Sequence, residues 1–90
     1  MEIIITDYKK RLAAMETSKE DIFGTELLTC IAGIEKSLLG SRAEIQSIRF
    51  SLESRDSSNK LKNQEYYRNV VIPEVLNLVE KAQEENPYNI

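Results

Sequence analysis

The residues that could do chemistry are few, and their spacing does not assemble them. The chain has no histidine, so the commonest general base and metal ligand is missing. Its one cysteine, Cys30, cannot form an internal disulfide or build a zinc site. Cys30 sits in the apolar run LLTCIAGI, where a cysteine reads as a small buried hydrophobe. Carboxylates stand side by side at Glu20/Asp21 and Glu84/Glu85. Adjacent residues on a helix point apart, so neither pair reads as an acid–base dyad. Gly24, Gly33 and Gly40 are too widely spaced for a phosphate-cradling loop. Nucleophile, base and oxyanion donor cannot all be named. The sequence therefore points away from an enzyme, a metal centre or a cofactor.

One polar pattern could bind rather than react. Arg42 and Arg49 are seven residues apart on one helix face, and Arg55, Lys60 and Lys62 follow. Such a basic stripe is what tracking a phosphate backbone requires. Against it, Glu53 lies four residues after Arg49 and can pair with it. The net charge is −3. Nucleic-acid binding is the alternative reading, not the leading one.

What remains is apolar surface. Phe50, Leu39 and Ile22 fall off the main apolar stripe, and Tyr66 and Tyr67 are adjacent, so one of the two faces away from the other's core. Exposed aromatic and aliphatic groups on a small helical protein suit interface anchors. Leu39, Phe50 and Tyr66 are the expected partner contacts.

The elements that must position these groups are helical. Leu27, Ile31, Ile34, Leu38, Ile45, Ile48 and Leu52 keep one a/d phase, with steps of 4, 3, 4, 7, 3 and 4. The preserved phase favours a central helix over 19–54, continuous or bent at Gly40. The other reading takes Gly40 as a helix stop and Ser41-Arg42-Ala43-Glu44 as a capping box, which makes a corner and a four-helix up-and-down bundle. A continuous helix would be about 52 Å long.

Before it, Met1, Ile5, Tyr8, Leu12 and Met15 repeat at helical spacing over 2–16. Thr17 and Glu20 fit a capping box that would start the central helix. After it, the turn formers of 55–62 read as a loop. A third helix over 63–86 carries Tyr67, Val71, Val75, Leu78 and Ala82, with a kink expected at Pro73. Asn86-Pro87 ends it and leaves a loose tail, 87–90.

The expected fold is all-α: a small antiparallel helical bundle forming a single domain over 1–90. Hydrophobic content of 41% and charged content of 30% suit a folded helical chain. The longest apolar runs are only a few residues, so no membrane span is expected. Ile3–Ile5 is too short for a signal-peptide core. A cytoplasmic location is expected, with export by a route without a cleaved signal left open. Secretion-system hairpins, bacteriocin immunity proteins and phage-encoded inhibitors share this size and helical content. No family is identified, and the chain has no tryptophan for the Trp-x-Gly turn of one secreted type. The leading functional expectation is a non-enzymatic protein-interaction module (adaptor, chaperone or inhibitor) that binds a protein partner or forms a homodimer. A self-assembling structural subunit of a secretion or phage system is the third reading.

Overall fold

The structure is a computed structural model and describes residues 5–40, 42–56 and 58–88. Helices α1 (Ile5–Thr17), α2 (Gly24–Ser37) and α3 (Arg42–Glu53) are followed by α4 (Lys60–Tyr66). The chain then runs through a π-helical turn, Tyr67–Val71, directly into α5 (Ile72–Glu85). No strand occurs among the described residues.

The long central helix is two helices. Leu38 leaves helical geometry with φ −82° and ψ 134°, after its N–H closes α2 on the Ile34 carbonyl at 2.8 Å. Gly40 then takes φ 96°, a conformation that glycine adopts without a Cβ penalty. Ser41, the expected cap, lies outside the described residues, and α3 begins at Arg42. The whole molecule is 39 Å along its longest axis, too short for a straight 52 Å helix. All seven seam residues are nevertheless buried. The phase survives the corner because both arms face the same core. Leu38 itself, extended rather than helical, plugs the core's end at zero exposure.

Packing closes a ring. Helix α1 lies on α2 and α5, and α3 lies on α2 and α5. Linkers of a few residues make sequence neighbours antiparallel, which is the up-and-down arrangement. The shared core contains Ile5, Tyr8 and Leu12 from α1, the seam of α2 and α3, and Val71, Ile72, Val75, Val79 and Ala82 from the last helix.

Two local expectations change. The Thr17–Glu20 capping box does not form. Thr17 instead ends α1, its hydroxyl donating to the Ala13 carbonyl at 3.2 Å, and α2 starts only at Gly24. The stretch 18–23 is thereby freed as a linker, in which the Ser18 hydroxyl accepts the Glu20 N–H at 3.0 Å. The last helix starts earlier than 63, because the Asn59 side chain caps it by accepting the Lys62 N–H at 3.2 Å. Around Pro73 the helix widens rather than stops. Proline brings no N–H for the Asn69 carbonyl, and one turn earlier the ladder shifts so that the Ile72 N–H reaches the Tyr67 carbonyl.

Candidate functional site

The α2–α3 hairpin carries a candidate surface feature. A cleft of about 440 Å³ runs between the two helices, lined by Leu28, Thr29, Ala32 and Lys36 on one side and Arg49 and Glu53 on the other. Arg49 spans it. Its Nε donates to Glu35 at 2.7 Å and its Nη1 to Glu53 at 2.8 Å, so one guanidinium ties α2 to α3. The two carboxylates favour the charged guanidinium and hold its pKa above the ordinary arginine value.

The same guanidinium lies 4.9 Å from the centroid of the Phe50 ring. That contact is within cation–π range. Phe50 is 54% exposed, on the outward face of α3. Its helical neighbours Gln46, Ser47 and Ser54 are exposed and uncharged, whereas Glu53, three residues on, is exposed and charged. The aromatic ring is thus held in place while its outer side stays open to solvent.

The other two expected anchors sit elsewhere. Leu39 is 45% exposed at the corner, at the end of the hairpin. Phe50 is eight residues into α3, about 12 Å along the helix from its start. Tyr66 is half-buried and packs on the core, with the Arg55 guanidinium 3.9 Å from its ring centroid. Tyr67 lies beside it, with centroids 6.4 Å apart. The structure does not gather Leu39, Phe50 and Tyr66 on one face.

Most of the basic stripe has intramolecular work. Arg42 donates to the Leu38 carbonyl at 2.7 Å and so caps the end of α2. Arg49 holds Glu35 and Glu53. Arg55 donates to the Asn63 side chain, and Asn63 donates on to the Asp56 carbonyl at 2.9 Å, which closes the loop before α4. Lys60 pairs with Asp21 at 3.0 Å. Lys62 is exposed. Four of the five cations therefore have protein partners, which disfavours a free phosphate-tracking stripe.

One polar constellation was not visible in the sequence. Lys60, Gln64 and Arg68 fall on one stripe of the last helix, four residues apart, and all three hold the 18–23 linker. The Gln64 side chain accepts the Ile22 N–H at 2.7 Å and donates to the Ile22 carbonyl at 2.8 Å. Arg68 donates to the Glu20 carbonyl at 2.9 Å. Ile22 is pulled into the core, and Phe23 is left 68% exposed beside it. A four-residue polar period was the only sequence signal, and it does not name its partners.

Among the described residues no group of His, Cys, Asp and Glu is placed to hold a metal ion. No helix among them is long and apolar enough to cross a membrane. Cys30 is fully buried, and burial raises its thiol pKa, with Arg11 pulling the other way. The chain matches no protein-family model, no curated protein and no solved structure.

Proposed function

We propose that the chain is a non-enzymatic protein–protein interaction module, of the adaptor, chaperone or inhibitor kind, and that Phe50 is its principal anchor. One observation carries this reading: an aromatic ring more than half exposed, held by an arginine that two carboxylates fix in turn. A side chain ordered before binding loses less entropy on binding, and aromatic groups dominate interface energetics.

The test compares tagged wild type with Phe50→Asp in affinity capture from the native lysate. Wild type retains one stoichiometric protein, either a different protein or an untagged copy of the chain itself. The variant, with unchanged helicity, binds it more weakly by about thirtyfold, as a hot-spot residue worth about 2 kcal/mol requires. Equal recovery by both removes Phe50 from the function.

A further inference from the structure

We infer that the α2–α3 face is self-complementary and that its occupant is a second copy of this chain, an inference that rests on the interaction-module reading above. Phe50 is a protruding group and the 440 Å³ cleft a receiving one, and both belong to the same face. In an antiparallel hairpin they also stand at the same level. Leu28, Thr29 and Ala32 lie as far from the Gly40 corner as Arg49 to Glu53 do. A twofold axis between ring and cleft therefore places Phe50 of each copy over the cleft of the other. This is the reciprocal pattern an isologous interface requires.

Charge admits a second copy on this face and opposes one on α5. A twofold axis sets a patch against itself, so a patch of one sign repels its mate. The outward face of α5 carries Glu74, Glu80, Glu84 and Glu85 against Lys81 and fails that condition. The cleft itself is lined by Glu35 and Glu53 against Lys36 and Arg49, and with Glu26, Arg42 and Glu44 the two helices carry a net charge of −1, against −3 for α5. Of the four lining the cleft, Glu35 and Arg49 are only 22% exposed and already paired with each other.

Size sets the strength. Helices α2 and α3 have 14 and 12 residues, so they are about 21 and 18 Å long. Packed about 9 Å apart, they form a plate with a footprint on the order of 400 Å². A standard interface buries about 800 Å² of accessible surface per partner, so this plate supplies about half of that and the dimer is a weak one, reversible with dilution.

The experiment is a sedimentation-equilibrium mass over a dilution series of the full chain. At high concentration the mass is twice the 10.3 kDa of one chain, and it falls toward one chain on dilution. Phe50→Asp removes the protruding group and Ala32→Arg fills the cleft. Each leaves the one-chain mass across the series with unchanged circular dichroism. Should either lose helicity, Gln46→Lys on the exposed outer face replaces it. Tyr88→Asp, far along the chain and 81% exposed, keeps the dimer. A one-chain mass for wild type throughout overturns the inference, and so does a dimer that all the face variants leave intact. If wild type is monomeric yet captures a different protein through Phe50, the module reading stands without the second copy. If it does neither, both fall.

Discussion

The side-chain amide of Gln64 holds both backbone groups of Ile22, accepting its N–H at 2.7 Å and donating to its carbonyl at 2.8 Å. A glutamine amide offers the same donor–acceptor pair that a neighbouring strand would. The linker between α1 and α2 is therefore fixed by a helix that lies 42 residues further along the chain. Ile22 reaches the core because its backbone, which has no helical partner here, is satisfied by this one side chain.

Replacing that amide strands two partly buried backbone groups. Gln64→Ala is expected to lower unfolding stability by about 1–3 kcal/mol. Gln64→Glu keeps the acceptor for the Ile22 N–H, loses the donor and sets a negative charge against the Ile22 carbonyl, so it restores little. Urea denaturation measures the loss, and amide exchange locates it. The Ile22 amide loses its local protection in Gln64→Ala and keeps its acceptor in Gln64→Glu, whereas amides in α3 change only through the global loss. Stability within a few tenths of a kcal/mol of wild type would show that water replaces the clamp without cost.

The contact of α1 with α2 at Gly33 is also a two-residue matter. A Cβ placed on Gly33 would overlap the ring of buried Tyr8. Gly33→Ala gains about 1 kcal/mol of helix propensity and loses more to the displaced ring, where overpacking costs about 1–3 kcal/mol. The expected result is a net destabilisation in thermal melts. Combining it with Tyr8→Leu, which vacates the ring position, gives a total smaller than the two separate losses. Strict additivity would show that the two positions do not share the space.

How much of this could be read from the sequence follows from which forces are local. The seam from Leu27 to Leu52 named seven buried residues correctly because helical periodicity records which side faces a core. It did not report the corner. Periodicity marks the buried side of each arm and is silent on whether the arms are collinear, so Leu38 and Ile45 stayed in phase across a turn at Gly40. The glycine and the expected cap were the local signs of that turn, and the preserved spacing outweighed them. Pro73 announced a disturbance, which the helix absorbed as a π-helical turn one turn earlier. The Thr17–Glu20 pattern failed because the Thr17 hydroxyl bonds backward to its own helix. The pairs Arg49–Glu35, Lys60–Asp21 and Gln64–Ile22 join residues 14 to 42 apart, and no local pattern encodes them. Only Arg49–Glu53, at helical spacing, was legible in advance.

Acid tests the short loop before α4. The Ser58 backbone N–H and hydroxyl each donate to the Asp56 carboxylate at 2.9 Å, and these bonds hold its pKa below the usual carboxylate value. A depressed folded-state pKa means that the stabilisation is present above the unfolded-state value, about 3.9, and is lost as the pH falls through the folded value. Asp56→Ala is therefore less stable than wild type near neutrality, and the gap narrows as the pH drops below about 4. Urea midpoints of the pair between neutral and acid pH check this. A gap that stays constant across the range would mean that the carboxylate's charge plays no part in holding the loop.

Cys30 tests the core from inside. Its side chain is fully buried between the Leu27 and Ile34 turns of α2. Burial disfavours the thiolate, the reactive form, and thus raises the pKa, although the Arg11 guanidinium opposes the shift by hydrogen bonding and by charge. Both access and ionisation therefore limit reaction with an aromatic disulfide reagent. In the native state labelling is expected to be slow and to require an opening of α1 from α2, because Arg11 and the α1 core residues stand on that side. Under denaturant it becomes fast and stoichiometric. Gly33→Ala, which forces the same two helices apart at Tyr8, is expected to speed native labelling in proportion to its loss of stability when opening is rapid and reversible. Fast native labelling of wild type would contradict the burial of the thiol. A Gly33→Ala rate equal to wild type would show instead that reagent reaches Cys30 by a route that leaves the α1–α2 contact closed.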